Sequence, residues 1–533
     1  MKIIGVGAGI AGVASAVLLS RKVANSSITV YDRQSKVVEL SFSPNTNWSE
    51  YYPKGAEIQK YYEDVVEKYG LTDAFKLQHE VLRATWLKDA FQWVVEIRDT
   101  QTGAVFVETA DFLVNSQGRI SEPKHPTTPG LFNRFQGDVV HTARWQQGYD
   151  VRGKRVAVIG NGASGQQILP NILGSVEHLD HYVRTKTWVT PTFAADLHIA
   201  QADAPGGPEY DQELRDLFAK DPEAYIKYRR ELEAKFHSDS SADEIGSEKN
   251  AALRERITKC MLERLSGDED WLQRVLPDYS PGCKRLTPAP GYLEALKSEK
   301  VEYITSPILE VDETGILTAD GKHRGVDLII TATGFENGFG SRFPVVGKDG
   351  IDLREKWGPN GDPGYPESYL GVMAPGYPNY FTVLQAQGNA RGASVPLHIE
   401  ISATYIAKCI RKIQSQSYAS LDPSIDATRD FNDIVGGAFD GKVVMDTCNS
   451  WFKREKGKSR ILISWPGSFY HRVDVLRDPR WEDFVFERRS NAVKNRFEYF
   501  GNGTTRREGA MDGHERTSYL KVATEEDLAT WHE

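Results

Sequence analysis

Two glycine-rich loops limit the folds that this chain can adopt. The first, Gly7-Ala-Gly9-Ile-Ala-Gly12, follows a short apolar run that begins at Ile3. The second, Gly160-Asn161-Gly162-Ala163-Ser164-Gly165, follows the run Arg155–Ile159. Each stretch predicts a buried strand, a tight turn and a helix start, an arrangement that directs backbone N–H groups and a helix N-terminus at a pyrophosphate. The chain is therefore predicted to contain two dinucleotide-binding units.

The residues of the first unit favour a flavin nucleotide. Gly7 permits the tight turn, Gly9 lets the backbone approach a phosphate, and Gly12 lets the helix pack closely on the strand. The next predicted strand, Ile28–Tyr31, ends on Asp32. An acid at this place binds the ribose hydroxyls of an adenine dinucleotide. A glycine-rich helix start without a ligand is the alternative, but strand, loop, helix, strand and acid in this order favour FAD.

The second unit carries the opposite charge at the corresponding place. Its second predicted strand, His181–Val183, ends on Arg184-Thr185-Lys186. A cation there suits a ribose 2′-phosphate, whereas an acid suits a free hydroxyl. The second loop is therefore predicted to bind NADPH. A structural role at the surface is the alternative for Arg184 and Lys186.

Length and charge exclude several classes of protein. A chain of 533 residues is too long for one ordinary hydrophobic core, so two or three domains are expected. The formal net charge of −9 argues against a nucleic-acid or anionic-membrane partner. The basic run at residues 452–460 is predicted to be a solvated loop.

The cysteines and the N-terminus bear on the compartment. The four cysteines show no CxxC spacing, which argues against a disulfide framework, a zinc ribbon and a thioredoxin-type pair. No metal site is predicted, and this cysteine usage fits a reducing compartment, here the cytoplasm. The apolar run Ile3–Leu19 resembles a signal peptide, but its glycine spacing favours the nucleotide loop. No other stretch approaches membrane-spanning length, so no transmembrane segment is expected.

Periodicity predicts the remaining elements. Ala56–Tyr69 carries apolar residues at helical spacing, and residues 197–275 are polar and helix-forming, interrupted by a predicted flexible loop at Ser238–Asn250. A second long helix is predicted over Leu397–Ile413, and the aromatic-rich last hundred residues are predicted to form a packed cap. Further strands are predicted at Leu77–Trp86, Trp93–Arg98, Ala104–Thr109, Asp111–Ser116, Val301–Ile304, Leu309–Val311 and Asp327–Thr331.

The order of these elements predicts an α/β fold with two Rossmann-like dinucleotide-binding domains. The NADP domain is expected to be inserted into a split FAD domain. The predicted ranges are 1–148 for the first part of the FAD domain, 149–333 for the NADP domain with a helical insertion at 197–275, and 334–533 for the second part of the FAD domain and the C-terminal cap.

The segment between the two units carries a resemblance to a known family. It contains Phe135, Gly137, His141, Thr142 and Trp145 in the pattern FxGxxxHTxxW, with Gln146 where that family has Pro or Asp. Flanked by two dinucleotide loops, this pattern resembles the Baeyer–Villiger monooxygenases, FAD- and NADPH-dependent enzymes that insert oxygen beside a ketone. Thr142 and Trp145 favour this family over the flavin-containing amine oxygenases. The motifs WPGS and PRWEDF at residues 465–468 and 479–484 resemble fungal members that act on polyketides or terpenoids.

The resemblance implies roles for individual residues. Arg285 matches the residue that stabilises the flavin peroxide, and Lys284 is its partner in the active-site pair. The segment from Phe135 to Trp145 matches the linker that couples domain movement to NADPH binding. The cofactor-binding matches are Gly7, Gly9, Gly12, Asp32 and Val81 for FAD, and Asn161, Gly162, Ala163, Ser164, Gly165, Gln166, Gln167, Arg184 and Thr185 for NADPH.

One part of the chain departs from the family. Residues 33–48 contain no glycine, although a flavin normally needs close backbone approach just after the ribose acid. The resemblance does not extend to the family's segments that surround the flavin ring and supply a carboxylate to the catalytic arginine, which are missing there. Either the gene prediction omits coding sequence, or much of the flavin-ring pocket has been lost.

The resemblance implies a monooxygenase that converts an apolar ketone to an ester or lactone with molecular oxygen, in a fungal biosynthetic pathway. A flavin monooxygenase that oxygenates nitrogen, sulfur or a ring carbon is a second hypothesis. A non-catalytic homologue with impaired flavin binding is a third, motivated by the glycine-free stretch. A flavoprotein disulfide reductase is disfavoured, because no cysteine precedes Cys260.

Overall fold

The structure is a computed structural model, and the parts of the chain that it describes are given by residue range. They are residues 1–32, 40–146, 148–193, 209–237, 243–336, 340–391, 394–450, 452–453, 460–488 and 495–504. Residues 33–39, within the predicted glycine-free stretch, lie outside them.

Strands and helices alternate through most of the described chain. The strands are β1 (Lys2–Val6), β2 (Ser27–Asp32), β3 (Phe75–Leu77), β4 (His79–Leu87), β5 (Gln92–Asp99), β6 (Val105–Ala110), β7 (Phe112–Asn115), β8 (Asp138–His141), β9 (Arg155–Ile159), β10 (His178–Tyr182), β11 (Val301–Ile304), β12 (Ile308–Val311), β13 (Gly315–Thr318), β14 (His323–Gly325), β15 (Leu328–Thr331), β16 (Val345–Val346), β17 (Tyr380–Thr382), β18 (Asn389–Arg391), β19 (Ser420–Pro423), β20 (Ser464–Ser468) and β21 (Phe484–Glu487). The helices are α1 (Ile10–Lys22), α2 (Gly55–Lys68), α3 (Ala163–Leu173), α4 (Gln212–Lys220), α5 (Pro222–His237), α6 (Glu248–Arg264), α7 (Glu269–Val275), α8 (Tyr292–Leu296), α9 (Leu353–Lys356), α10 (Val395–Ser415), α11 (Ile425–Gly437) and α12 (Phe469–Arg477).

The first parallel sheet contains strands from both ends of the chain. Its order is β17-β7-β1-β2-β3, and every neighbouring pair is parallel. Parallel strands buried on both faces consist of apolar residues, as in Ile3-Ile4 of β1 and Phe112-Leu113-Val114 of β7. Helices α1 and α10 pack against one another beside this sheet. β17 comes from beyond residue 333, so the sheet of the first unit is completed after the second unit.

The second parallel sheet has the order β11-β10-β9-β15-β8. Strands β9 and β11 have the bounds predicted from the sequence, whereas β10 begins at His178, three residues before the predicted strand. β8 precedes the predicted domain start at residue 149, yet it pairs with β15. The second sheet therefore takes in the Asp138–His141 segment of the predicted linker.

Smaller elements surround the two sheets. β4, β5 and β6 form the predicted antiparallel meander, with β16 added in parallel to β4. Helices α4 to α7 lie within the predicted helical insertion. The predicted flexible loop is wrong at its end: Ser247 caps α6 through its side chain, and the buried Asn250 donates a 3.0 Å hydrogen bond to the Pro281 carbonyl.

The C-terminal region packs into the core of the first unit, as predicted for a cap. Trp465, Phe469 and Phe484 are buried in one cluster with Ile3 and Phe112. None of the described helices combines the length and the apolar character needed to cross a membrane.

Two expectations about this region are wrong. Lys453, within the basic run predicted to be solvated, is only 5% exposed. Cys283 and Cys448 form a disulfide, at a sequence separation of 165. Local cysteine spacing could not indicate a pair so far apart. Lys453 is buried because its segment packs against Cys283.

Candidate active site

The first glycine loop joins the carboxyl end of β1 to α1. Gly7 has φ +104° and donates its N–H to the Tyr31 carbonyl at 2.8 Å. A Cβ on Gly12 would lie 1.8 Å from the Gly7 carbonyl oxygen, so only glycine lets α1 approach the loop this closely. Gly9 is the N-cap of α1, whose first turn contains no acidic residue. The first turn of the helix therefore presents backbone N–H groups and a positive dipole end, with no acidic side chain of its own to compete for them.

Asp32 lies beside this loop. One of its carboxylate oxygens accepts the Ala8 N–H at 2.5 Å, which fixes the carboxylate against the turn. Val81 is 6% exposed on β4 and packs in one cluster with Val6 and Tyr31. Val81 thus packs against the ends of β1 and β2, next in sequence to the loop and to Asp32, and the ribose and adenine contacts stay predictions.

The second glycine loop repeats the geometry of the first. Gly160 has φ +117° and donates its N–H to the Tyr182 carbonyl at 3.0 Å, as Gly7 does to Tyr31. A Cβ on Gly165 would lie 2.0 Å from the Gly160 carbonyl oxygen. Gly162 is the N-cap of α3, and a Cβ there would meet nothing within 4 Å. Open space in front of a helix N-terminus that lacks acidic residues in its first turn suits a pyrophosphate.

A buried polar network beneath this loop was not predicted. The hydroxyl of Tyr292 donates to the Asn161 side-chain oxygen at 2.7 Å, and the Asn161 carbonyl accepts from the Thr187 hydroxyl at 2.9 Å. A ring nitrogen of His181 lies 3.3 Å from the Gly160 carbonyl. Burial lowers the pKa of His181 to about 4, so its imidazole is neutral at physiological pH. The hydrogen bonds that Asn161 makes with Tyr292 and Thr187 thus hold the loop against the protein interior.

The other predicted residues of the second loop differ in exposure. Gly162, Ala163 and Gln167 are exposed, and Ser164 is half-buried. Gln166 is fully buried, so its side chain faces the protein interior, one residue from the exposed Gln167. The Thr185 carbonyl lies 3.5 Å from the Asn161 side-chain nitrogen.

The end of β10 is apolar and then cationic. The Tyr182 carbonyl accepts the N–H of its glycine turn, as the Tyr31 carbonyl does in the first unit. The residue after Tyr182, Val183, therefore corresponds to Asp32, and Val183 is buried. The predicted cation, Arg184, is therefore one residue further along and is exposed. The strand is thus followed by an apolar residue and then a cation, where the first unit has a carboxylate.

Lys284 lies next to Arg184 in space. Residues 284–287 run beside residues 186–190, through a bridge between Val189 and Thr287 and a 2.9 Å hydrogen bond from the Thr190 N–H to the Thr287 carbonyl. The ammonium of Lys284 lies 5.2 Å above the ring of Tyr279. Burial, together with the charge of Arg184, lowers the pKa of Lys284 to about 8.

The other two cations of this region have different surroundings. Lys186 is held by a 2.8 Å hydrogen bond from its ammonium to the Gln273 carbonyl. Arg285 follows Lys284 directly and its side chain is exposed. The structure thus brings Lys284 to Arg184 and leaves the Arg285 guanidinium at the surface of the same loop.

The predicted linker lies where the chain enters the second unit, next to the point where the chain leaves it. His141 ends β8, and its Nε2 lies 3.1 Å from the Gly334 carbonyl, which also accepts the Lys124 N–H at 2.9 Å. The His141 Nδ1 accepts the Ala143 N–H at 3.1 Å. Burial and the neighbouring His125 lower the pKa of His141, so the neutral ring donates from Nε2 to Gly334. One histidine thereby joins the chain entering the second unit to the chain leaving it.

The remaining linker residues pack around this point. Gly137 is required by close packing, because a Cβ there would lie 2.5 Å from the Asp327 carbonyl oxygen and 2.6 Å from the Phe135 ring. Thr142 begins a single 3₁₀ turn, and the Trp145 ring packs edge-on to Tyr149 at 5.6 Å.

Two other features lie apart from these residues. A cavity of about 370 Å³ is lined by residues between Ile351 and Pro375 and by Ile425 and Arg429 of α11, and none of the predicted site residues contributes to it. His178, Asp180 and Glu302 place ligand-type atoms within 4.8 Å of one another on β10 and β11. The Arg324 guanidinium lies 2.6 Å from the Glu302 carboxylate and compensates its charge, and the expected absence of a metal site stays a prediction.

Comparison with known proteins places these features in a family. The chain is 33% identical over 517 residues to the FAD-binding monooxygenase moxY of Dothistroma septosporum, covering 91% of this chain and 79% of that protein. The chain belongs to the FAD-binding monooxygenases. It is also 32% identical over 448 residues to a Baeyer–Villiger monooxygenase of Streptomyces coelicolor, covering 82% of this chain and 79% of that protein. No protein-family model matches the chain.

Solved structures confirm the fold of this family member. An oxidised steroid monooxygenase bound to NADP superposes with a TM-score of 0.73 at 25% identity, covering 92% of this chain and all of that one (100%). The predicted α/β fold with two Rossmann-like units, the predicted family resemblance and the predicted enzyme class are therefore confirmed.

Proposed function

We propose that this chain is a Baeyer–Villiger monooxygenase that uses FAD and NADPH to convert an apolar ketone to an ester or lactone. One atom of O2 enters the product and the other leaves as water, while NADPH is oxidised to NADP⁺ and a proton is consumed. The observation that carries the proposal is the pair of matching glycine loops, one followed by a carboxylate and the other by two cations.

The residues of the first loop fit FAD. The α1 N-terminus offers backbone donors to the pyrophosphate, and Asp32 stands where it can accept ribose hydroxyls. When bound, FAD supplies the activation of oxygen and NADPH supplies the hydride.

The second loop fits NADPH rather than NADH. Arg184 and Lys284 place two positive charges at the end of β10, and the apolar Val183 replaces the acid that would repel a 2′-phosphate. The steroid monooxygenase that is similar in fold was solved with NADP bound, which supports this choice.

Arg285 is proposed to stabilise the negative charge that develops on oxygen during attack on the ketone. A guanidinium stays charged at any working pH and offers a planar fork of donors. The disulfide of Cys283 holds the backbone on the N-terminal side of Arg285, while the Arg285 side chain remains exposed to a substrate. Lys284 serves the nucleotide phosphate in this proposal, and His141 couples the two connections between the units.

Replacing Arg184 with glutamine is expected to raise the Kd for NADPH about tenfold to a hundredfold and to leave NADH binding unchanged, because a charge-assisted contact to the 2′-phosphate contributes about 1.5–3 kcal/mol. Titration of both nucleotides measures this. Lys186→Gln is the matched control, since its ammonium is already bound to a carbonyl and its loss should affect NADPH much less. Equal losses for NADPH and NADH would contradict the assignment of Arg184.

The affinity for NADPH is expected to fall as the pH rises from about 7 to 9. Lys284 is charged below its pKa of about 8 and neutral above it, while the 2′-phosphate is already a dianion across this range. NADH should show no such fall. Lys284→Gln should remove the dependence, so a fall of the same size in that variant would rule out Lys284 as its source.

Product analysis of the purified protein tests the reaction. With FAD and NADPH added, the proposal predicts esters or lactones from large apolar ketones, and the flavin absorbance of bound FAD. Oxygenation of amines or sulfides in place of ketones would support the second class of flavin monooxygenase. A protein that stays colourless with added FAD would contradict the proposal. We place the reaction in a fungal biosynthetic pathway, because the relatives include fungal monooxygenases.

A further inference from the structure

The Cys283–Cys448 disulfide joins two segments that are distant in sequence. Cys283 lies in the loop that carries Lys284 and Arg285, and Cys448 lies after α11 in the C-terminal region. Both side chains are buried, at 0% and 2% exposure. The bond therefore ties the proposed nucleotide-binding and catalytic loop to the cap of the first unit.

One hydrogen bond joins the same two segments, and two further contacts join the C-terminal region to the residues before α6. The Asp446 carboxylate accepts the Ser280 N–H at 2.7 Å, and the Gly441 carbonyl accepts the Ile245 N–H at 2.9 Å. The Lys442 ammonium lies 2.9 Å from the Glu244 carboxylate. These contacts do not depend on the S–S bond, so the two cysteines stay close to each other when they are reduced.

A cation lies beside one of the sulfur atoms. The ammonium of Lys453 is 3.9 Å from the Cys283 sulfur and donates to the Asp446 carbonyl. A positive charge at this distance favours the thiolate, which is the form of cysteine that reacts with oxidants. Cys260 and Cys409 lie outside this pair, on α6 and α10.

We propose that Cys283 and Cys448 form a reversible thiol–disulfide modification site, with hydrogen peroxide as the oxidant and a small dithiol or glutathione-type thiol as the reductant. Disulfides that form in a reducing compartment are typically transient and serve catalysis or redox sensing. The disulfide ties the loop that carries Lys284 to the C-terminal region, and reduction removes that covalent restraint. The consequence for NADPH rests on the proposed function, whereas the modification itself does not.

Formation of the disulfide consumes one molecule of hydrogen peroxide. The Cys283 thiolate attacks hydrogen peroxide, which forms an S–O bond, breaks the O–O bond and releases hydroxide, so the sulfur becomes a sulfenic acid. The Cys448 thiol then attacks that sulfur, the S–O bond breaks, and the oxygen leaves as water. In sum two thiols and one peroxide give one disulfide and two waters. Reduction by an external dithiol reverses the bond through thiol–disulfide exchange. Since both sulfur atoms are buried, either reaction proceeds when the segment that carries Cys448 opens.

Thiol mapping tests the modification on the full-length protein. After treatment with dithiothreitol or with hydrogen peroxide, free thiols are alkylated under denaturing conditions and located by mass spectrometry. The expected result is a Cys283–Cys448 peptide pair after peroxide and two alkylated peptides after dithiothreitol, with Cys260 and Cys409 alkylated in both samples. Alkylation of Cys283 and Cys448 after peroxide, or a bond that dithiothreitol leaves intact in the folded protein, would overturn the proposal.

Nucleotide titration tests the restraint. Preorganising the Lys284 loop should make the oxidised protein bind NADPH about threefold to tenfold more tightly than the reduced protein. Cys448→Ser should show the reduced-state affinity under both treatments, whereas Cys260→Ser should respond like the natural sequence. Equal NADPH affinity in the two states overturns the restraint. Reversible formation of the bond in a protein that binds no NADPH in either state would overturn the proposed function and leave the modification site standing.

Discussion

Replacing Arg285 with alanine is expected to lower formation of the oxygenated product by a factor of about one hundred or more. A fixed guanidinium facing the developing negative charge contributes about 3 kcal/mol to the transition state, and an exposed alanine restores none of it. Anaerobic reduction of the bound flavin by NADPH should be unchanged, because the proposed role of Arg285 begins after hydride transfer. Chromatography of the product and stopped-flow measurement of flavin reduction separate the two steps.

Two further variants make the Arg285 test specific. Arg285→Lys keeps the charge and loses the planar fork, so its product formation should lie between those of the alanine variant and the natural sequence. Arg256→Ala removes an exposed guanidinium from α6 and should leave product formation unchanged. If Arg285→Ala retained more than about a tenth of the natural rate, Arg285 would not be the stabilising group.

Local backbone requirements explain what the sequence predicted well. A turn with positive φ at Gly7 and a contact of less than 2 Å at Gly12 admit only glycine, so the loop can be recognised from its spacing. Strands β9 and β11 had the right bounds because their buried residues form short runs between turns. β10 was placed too far along the chain, because His178 and Asp180 interrupt its apolar pattern. These two side chains pair with each other along the strand at 3.2 Å, and a search for apolar periodicity does not detect such a polar pair.

Long-range pairs explain most of what was missed. Tyr292 supports Asn161 across 131 residues, and Cys283 meets Cys448 across 165. Residues so far apart are joined by the fold, not by a local pattern. The residue of the second unit that corresponds to Asp32 was also predicted one position too late. The carbonyls of Tyr31 and Tyr182 accept the N–H of the glycine turn in their respective units, so the residue after Tyr182, Val183, corresponds to Asp32. Sequence spacing alone does not define that correspondence. The role of Arg285 and the predicted domain boundaries stay predictions.

Replacing Gly12 with alanine is expected to abolish FAD binding. The new Cβ would lie 1.8 Å from the carbonyl oxygen of Gly7, and a backbone atom in a turn between β1 and α1 cannot move aside as a side chain could. Either the helix or the loop must shift, at a cost of about 3 kcal/mol, and the donors at the α1 N-terminus then lose their alignment with the pyrophosphate. Flavin absorbance of the purified protein and its Tm measure the two effects.

Glycine substitutions elsewhere separate loss of the fold from loss of the site. Gly55→Ala adds a Cβ at the start of α2 with nothing within 4 Å, so both Tm and flavin content should be retained. Gly162→Ala also adds a Cβ in open space, but at the N-cap of α3, where the proposed NADPH pyrophosphate approaches. That variant should keep its Tm and its FAD while losing NADPH affinity. If Gly12→Ala purified with a full complement of FAD, the first loop would not be the flavin site; if Gly162→Ala bound NADPH normally, the second would not be the NADPH site.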